Sequence, residues 1–144
     1  MSICQKFCHE ITDERGALVK ITLDYPDNFN FGYDVVDKIA EETPDKRALV
    51  WCNAEGEEHV FTFREVKEYS NQMANVFRAS GVRRGDRVML ILKRHYEYWF
   101  AAVALHKLGA VTIPVTHMLT VSICVTGIIT APILCSATAA NQYS

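Results

Sequence analysis

Two apolar runs separated by a helical pattern constrain the fold more than any other feature of this sequence. Residues 88–92 (VMLIL) and 110–115 (AVTIPV) are each expected to form a strand, because an uninterrupted apolar run is typical of a strand covered on both faces. Residues 96–108 between them carry apolar side chains at helical spacing, and Gly109 is placed to end the helix. The sequence therefore predicts a parallel βαβ unit with a right-handed crossover. Pro114 favours an edge or strand-end position for the second strand.

Upstream of this unit the sequence predicts two helices and a strand pair. Residues 34–43 have the spacing of a short helix, and residues 48–61 are expected to form a β-hairpin around a polar turn. Residues 62–80 are expected to form a longer helix, because Thr62 and Glu65 fit a capping box. The predicted apolar stripe of this helix comprises Val66, Tyr69, Met73, Val76 and Phe77.

The charged residues stop abruptly along the chain. The sequence has 15 Lys and Arg and 17 Asp and Glu, and all of them lie between Lys6 and Lys107. A folded surface normally carries roughly a quarter to a third charged residues. We therefore expect a folded body that ends near residue 117 and an unusual tail at 118–144.

The composition excludes several classes of function. A formal net charge of -2 removes the electrostatic case for a nucleic-acid binder. Five scattered cysteines give no disulfide framework, and Cys4-x3-Cys8-His9 lacks the second ligand pair that a four-coordinate zinc site needs.

The first residues show neither an export signal nor a transit-peptide pattern. We therefore expect a cytoplasmic protein with reduced thiols.

The apolar part of the tail has some features of a membrane span. Residues 118–135 are rich in apolar side chains, but they include Thr, Ser, Gly and Pro and lack basic flanks. They also fall short of the roughly 20 mostly apolar residues of a spanning helix. We expect a poorly packed tail, and a tail-anchored membrane protein is the lesser alternative.

Two motifs occur in the order typical of a known enzyme family. FTFREV at 61–66 resembles the first core motif of AMP-forming acyl-CoA synthetases, which belong to the adenylate-forming enzymes. LHKLGAVTIPV at 105–115 resembles the second, and GVRRGDRV at 81–88 resembles the segment between them. Residues 27–63 look close to the acetyl- and medium-chain branch. The resemblance covers about residues 25–120.

The resemblance implies an α/β fold, namely a partial N-terminal subdomain of an adenylate-forming enzyme. This subdomain contains a β-hairpin and a parallel βαβ unit and is followed by an irregular apolar tail. The predicted organisation is a poorly ordered segment at 1–30, a partial AMP-binding-type α/β domain at 31–117, and a charge-free tail at 118–144 that is unrelated to the family.

The resemblance also implies what chemistry to look for. Family members are ligases of fatty acid metabolism that convert a carboxylate, ATP and CoA to acyl-CoA, AMP and diphosphate with Mg²⁺. They use a phosphate loop rich in Gly, Ser and Thr, an aromatic-Gly-x-Thr-Glu segment, an Asp for the ribose and a Lys in a mobile C-terminal domain. None of these occurs here, and Gly109 and Gly127 lack the surrounding residues of such a loop. No catalytic, cofactor-binding or metal-binding residue is carried over, and no cofactor is predicted for this chain.

Three other signals have structural explanations. A basic cluster that could contact phosphate groups lies near His95 and comprises Arg83, Arg84, Arg87, Lys93 and Arg94. We expect these side chains to be solvated around a buried strand. His106 and Lys107 lie in the last turn of a predicted helix, where cations suit the helix dipole. Trp99 and Phe100 are expected to pack in the core.

The sequence therefore predicts a truncated N-terminal piece of an AMP-forming acyl-CoA synthetase that is inactive alone. The last charged residue is Lys107, and the resemblance stops near Thr120. A truncated reading frame followed by an unrelated stretch, an altered transcript or a gene-model error would each explain both facts. The alternative is a small α/β interaction module that pairs with the remainder of a synthetase or with a full-length relative.

Overall fold

The described part of the chain forms helices, two antiparallel hairpins and one parallel sheet. A computed structural model describes residues 3–92, 95–115 and 133–134. The elements are α1 (Ile3–Phe7), β1 (Cys8–Thr12), β2 (Leu18–Leu23), a π-helical segment (Phe31–Asp37), α2 (Lys38–Glu42), β3 (Arg47–Cys52), β4 (Glu58–Thr62), α3 (Phe63–Ala79), β5 (Arg87–Leu90), α4 (Glu97–Leu108), β6 (Val111–Pro114) and β7 (Ile133–Leu134). This order confirms the predicted α/β class.

The parallel βαβ unit is present as predicted. β5 and β6 pair in parallel from Arg87 opposite Val111 to Leu90 opposite Pro114, and α4 connects them. Gly109 ends α4 with a φ of 68°, a left-handed conformation that favours glycine. The strand order β6-β5-β7 places β6 at one edge of the described sheet, which confirms the position expected for Pro114.

The capping box at the start of α3 is also present. The Glu65 amide donates to Thr62 Oγ1 at 3.3 Å, and the Thr62 amide donates to Glu65 Oε2 at 2.8 Å. The hydrogen bonds from the Thr62 backbone and side chain hold the pKa of the Glu65 carboxyl below its usual range. The predicted helix start is therefore confirmed at the level of individual atoms.

We expect Thr62→Ala to lower the free energy of unfolding by about 0.5–2 kcal/mol, because the Glu65 amide loses its side-chain acceptor. Urea unfolding followed by circular dichroism measures this change. Thr62→Ser keeps the hydroxyl and should retain most of the stability. Equal losses for both variants would show that the cap contributes little.

The predicted hairpin is confirmed, and it packs on the helices. β3 and β4 are antiparallel, with Leu49 opposite Phe61 and Trp51 opposite His59. Phe61 belongs to a small core cluster that joins this hairpin to the helices; its buried members are Val36, Val66, Phe100 and Val103. The hairpin therefore packs against one side of α3 and of α4.

The buried face of α3 differs from the predicted apolar stripe. Its buried residues are Val66, Ser70, Ala74 and Phe77. Tyr69 and Val76 were expected inside, but they are exposed. The stripe was predicted from apolar residues alone. The buried face also includes the small residues Ser70 and Ala74, which allow α4 to pack closely on α3.

The N-terminal part of the chain contains elements that the sequence did not indicate. Within residues 1–30 the structure describes α1 and the β1–β2 hairpin, whose β2 side chains are all exposed. The helix predicted at 34–43 begins earlier, at Phe31, because the Asn30 side chain accepts from the amides of Gly32 and Tyr33. The division into a segment at 1–30, a domain at 31–117 and a tail stays a prediction.

Most of the predicted tail lies outside the described residues. The exception is β7, which pairs in parallel with β5 through Met89 opposite Ile133 and Leu90 opposite Leu134. A strand at this position was not expected from the sequence. It places a piece of the charge-free segment against the central strand of the sheet.

Candidate functional site

The buried lysine at the end of α4 is the most distinctive polar feature of the described chain. Lys107 Nζ lies 2.7 Å from Asp37 Oδ1, 2.9 Å from Ser70 Oγ and 2.8 Å from Asn71 Oδ1. The Lys107 side chain is only 1% exposed. These four residues, the Lys107 cluster, join the π-helical segment, α3 and α4 at one point.

The Lys107 cluster requires close approach of the π-helical segment to α4. A Cβ atom at Gly32 would lie 2.6 Å from Lys107 Cγ and 3.3 Å from the Val103 carbonyl oxygen. Glycine is therefore the residue that fits at position 32. The Asn30 side chain strengthens the same junction, because its Nδ2 donates to the His106 carbonyl at 2.7 Å.

The electrostatics of the cluster indicate a structural role. Burial lowers the pKa of Lys107, and the hydrogen bond and charge of Asp37 oppose that shift. The ammonium group donates hydrogen bonds to Ser70 Oγ and Asn71 Oδ1 and forms an ion pair with Asp37. Because the Lys107 side chain is also 1% exposed, the ammonium group is engaged within the fold and is not accessible to a substrate or a phosphate group.

The sequence placed Lys107 correctly in the last turn of α4 but missed its partners. We expected a cation that complements the helix dipole, and Lys107 lies in that last turn but is also buried. His106 lies in the same turn, and burial lowers its pKa. The available signal was Ser70, a small polar residue within the apolar stripe of α3, which could accept from a buried donor.

A second group of polar and aromatic side chains lies beyond the carboxyl end of β5. His95 stacks on Trp51 with ring centroids 6.3 Å apart and an interplanar angle of 13°. Tyr96 packs edge-on against Trp51, with ring centroids 5.5 Å apart, and lies tilted against His59 at 5.1 Å. Burial raises the pKa of Tyr96. Ligands of open α/β sheets bind at this end of the strands, and here His95 and Tyr96 contact Trp51 and His59 of the hairpin.

The two aromatic residues expected in the core differ in their environment. Phe100 is buried and contacts Phe61 edge-on, with a centroid distance of 5.2 Å. Trp99 is 54% exposed, so the expectation of core packing is wrong for this residue. Consecutive residues of a helix point in directions about 100° apart, and only Phe100 faces the cluster of Val36, Val66 and Val103.

The basic cluster seen in the sequence is divided by β5. Arg83 and Arg84 precede the strand, Arg87 begins it, and His95 follows it. Lys93 and Arg94 lie outside the described residues. The arginines therefore do not converge with His95 on one phosphate site.

Two of these arginines line a surface groove with a third. The groove has a volume of about 390 Å³, and Arg78, Arg83 and Arg84 contribute to its walls. Arg78 lies in the last turn of α3, and Arg84 packs against Gly109 at the end of α4. Cations at helix C-termini complement the negative ends of the helix dipoles, so the groove has a structural explanation.

The metal and membrane hypotheses concern regions that are only partly described. Within the described ranges, no three side chains from His, Cys, Asp and Glu are grouped closely enough to hold a metal ion. In the same ranges, no helix is both long and apolar enough to cross a membrane. The candidate span at 118–135 lies outside them, apart from Ile133 and Leu134.

Comparison with known proteins shows which enzymes this chain is similar to. The family model for AMP-binding enzymes matches residues 36–123. The human mitochondrial acyl-coenzyme A synthetase ACSM3 is 40% identical over 104 residues, which are 68% of this chain and 18% of that protein. The mitochondrial acyl-coenzyme A synthetase ACSM2 of Rattus norvegicus is 43% identical over 97 residues, 63% of this chain and 17% of that protein.

Solved structures of related enzymes share the fold of this chain. The fatty acyl CoA synthetase of Mycobacterium tuberculosis has a TM-score of 0.58 and 27% identity, over 67% of this chain and 19% of that one. The N-terminal subdomain of NpsA from Klebsiella oxytoca has a TM-score of 0.54 and 30% identity, over 60% of this chain and 22% of that one. This chain thus spans less than a quarter of the length of each of these four relatives.

Proposed function

Because the chain belongs to the AMP-binding enzyme family, we propose that it is a supporting, non-catalytic piece of an AMP-forming acyl-CoA synthetase. The parent reaction would convert a carboxylate, ATP and CoA to acyl-CoA, AMP and diphosphate. The similarity to the medium-chain enzymes favours a synthetase of that type. On this proposal the chain by itself neither binds Mg·ATP nor releases pyrophosphate.

The observation that carries the proposal is that the Lys107 ammonium group is buried and contacts polar groups of the same chain. Transfer of an adenylyl group needs positive charge held against developing negative charge at the phosphate. Lys107 is the buried lysine of the described chain, and its ammonium group is surrounded by Asp37, Ser70 and Asn71. It therefore supports the junction of three helical elements and is not available for a nucleotide.

The sequence supports the same conclusion independently. A phosphate loop presents backbone amides from a glycine-rich turn together with a lysine. The loop after α4 carries Gly109 as a helix terminator, and no Gly-rich stretch with Ser, Thr and Lys occurs anywhere in the sequence. The motifs that are present build a capped helix and a parallel strand pair, which are parts of a scaffold.

A pyrophosphate-release assay on the purified chain tests the proposal. We expect a signal equal to the enzyme-free background with Mg·ATP, CoA and carboxylates from acetate to octanoate. A full-length medium-chain acyl-CoA synthetase at the same concentration is the positive control. Saturable turnover that depends on the carboxylate would overturn the proposal.

A second candidate function is an interaction module for a larger synthetase chain. The observation that favours it is the β1–β2 hairpin, where Val19, Ile21 and Leu23 alternate along one face and are all exposed. Exposed apolar strands recruit partners or aggregate. Light scattering with and without a full-length synthetase distinguishes the two functions, because a chain that stays monomeric and unbound argues against an interaction module.

The cytoplasmic location expected from the sequence also remains a prediction.

A further inference from the structure

The β1–β2 hairpin leaves the outer edge of β2 uncovered. Among the described residues, β1 and β2 form a sheet of two strands, and no third strand pairs with β2. All the side chains of β2 are exposed, including Ile21 at 50% and Leu23 at 63%. An exposed strand edge presents unpaired backbone N–H and C=O groups, which can pair with a strand of another chain.

The hydrogen bonds of the hairpin show which backbone groups of β2 point outward. The Asp24 amide donates to the Phe7 carbonyl at 3.0 Å, so these two residues form a hydrogen-bonded pair. Opposite residues of an antiparallel ladder alternate between hydrogen-bonded and non-hydrogen-bonded pairs. Leu23 and Ile21 are one and three residues from Asp24 in the same register, so each belongs to a non-hydrogen-bonded pair with β1. The N–H and C=O groups of Ile21 and Leu23 therefore point away from β1.

The polar side chains of this strand carry opposite charges at its two ends. Lys20, Thr22 and Asp24 lie on the same side of the strand, because alternate residues share a face. The ion pairs formed by the described residues involve neither Lys20 nor Asp24. Thr22 is midway between them. A two-fold axis at Thr22 would therefore bring Lys20 of each copy opposite Asp24 of the other.

We propose that two copies of this chain pair through the outer edge of β2, antiparallel, about a two-fold axis at Thr22. The outward backbone groups of Ile21 then lie opposite those of Leu23 in the other copy, and each of these pairs exchanges two N–H···O=C hydrogen bonds. Lys20 lies opposite Asp24 of the other copy at both ends of the pairing, and opposite charges across a strand pair are stabilising. The pairing uses the same surface of both copies, so it closes as a symmetric dimer.

Neighbouring registers match the charges less well. A two-fold axis at Ile21 places Lys20 opposite Thr22 of the other copy and leaves the charges of Lys20 and Asp24 unpaired. An axis at Lys20 places two lysines opposite each other, which is destabilising. The axis at Thr22 matches the outward backbone groups and the charges together. This pairing involves neither the Lys107 cluster nor a nucleotide, so its test is independent of the test of the proposed function.

Sedimentation equilibrium of the full 144-residue chain under reducing conditions, from micromolar to millimolar concentration, tests this pairing. Two paired strands make a small interface, so we expect a monomer–dimer equilibrium that shifts with concentration. The variants Lys20→Asp and Asp24→Lys each place like charges opposite each other, and each should raise the dissociation constant of the dimer at least tenfold. An equimolar mixture of these two variants matches the charges again and should dimerise, as should the double variant Lys20→Asp/Asp24→Lys.

The matched control is Lys46→Asp, which makes the same change of charge at an exposed residue outside the hairpin and should dimerise like the unaltered chain. Circular dichroism verifies that each variant is folded. An unaltered chain that stays monomeric over the whole concentration range would overturn the proposal. Single variants that dimerise as well as the unaltered chain, a mixture that stays monomeric, or growth beyond a dimer would also overturn it.

Discussion

We expect Lys107→Met to lower the free energy of unfolding by about 3–5 kcal/mol. This is the range for removing one partner of a buried ion pair. The substitution leaves the Asp37 carboxylate buried without its cation, and Ser70 Oγ and Asn71 Oδ1 also lose their common donor. Urea unfolding followed by circular dichroism measures the change.

Two variants separate this effect from a general loss of charge. Lys38 forms an exposed pair with Glu41 at 2.8 Å, and Lys38→Met should change the free energy of unfolding by less than about 1 kcal/mol. The double variant Asp37→Leu/Lys107→Met removes both buried charges and should recover much of the loss. If the Lys107 and Lys38 variants were equally stable, the Lys107 cluster would not stabilise the fold.

We expect Phe77→Ala to lower the free energy of unfolding by about 3–5 kcal/mol, the range for an aromatic side chain in a core. Phe77 is 3% exposed and packs in the main cluster with Leu105 and Val88. Its truncation would leave a cavity between α3 and the sheet. Chemical denaturation of the purified variant measures the loss.

The neighbouring residue provides the control for this prediction. Val76 was expected in the apolar stripe but is 54% exposed, so Val76→Ala should change the stability by less than about 0.5 kcal/mol. A larger loss at Val76 than at Phe77 would contradict the observed orientation of α3, in which Phe77 is buried and Val76 is exposed.

The elements with local signals could be predicted from the sequence. The Thr62–Glu65 capping box determines where α3 starts, and the runs at 88–92 and 110–115 indicate buried strands on either side of a helix. The matches to AMP-binding enzymes at 36–123 confirm the family resemblance that these motifs carry. Each signal depends on residues close together in the chain.

The features that were missed depend on residues distant in the chain. Lys107 is buried because Asp37, Ser70 and Asn71 come from other elements, and helical spacing within α4 does not reveal them. The early start of the π-helical segment depends on the Asn30 side chain and on the absence of a side chain at Gly32. In the β1–β2 hairpin, Val19, Ile21 and Leu23 alternate with polar residues, but every side chain of β2 is exposed, so this alternation does not mark a buried face.

Calorimetric titration of Mg·ATP into the folded 144-residue chain is the most direct test of the account. The central claim is that these residues form scaffold without the parts that hold a nucleotide. The account predicts heats equal to those of dilution up to millimolar ATP, while a full-length medium-chain synthetase gives a saturable isotherm under the same conditions. Saturable binding of one ATP per chain in the micromolar range would contradict it.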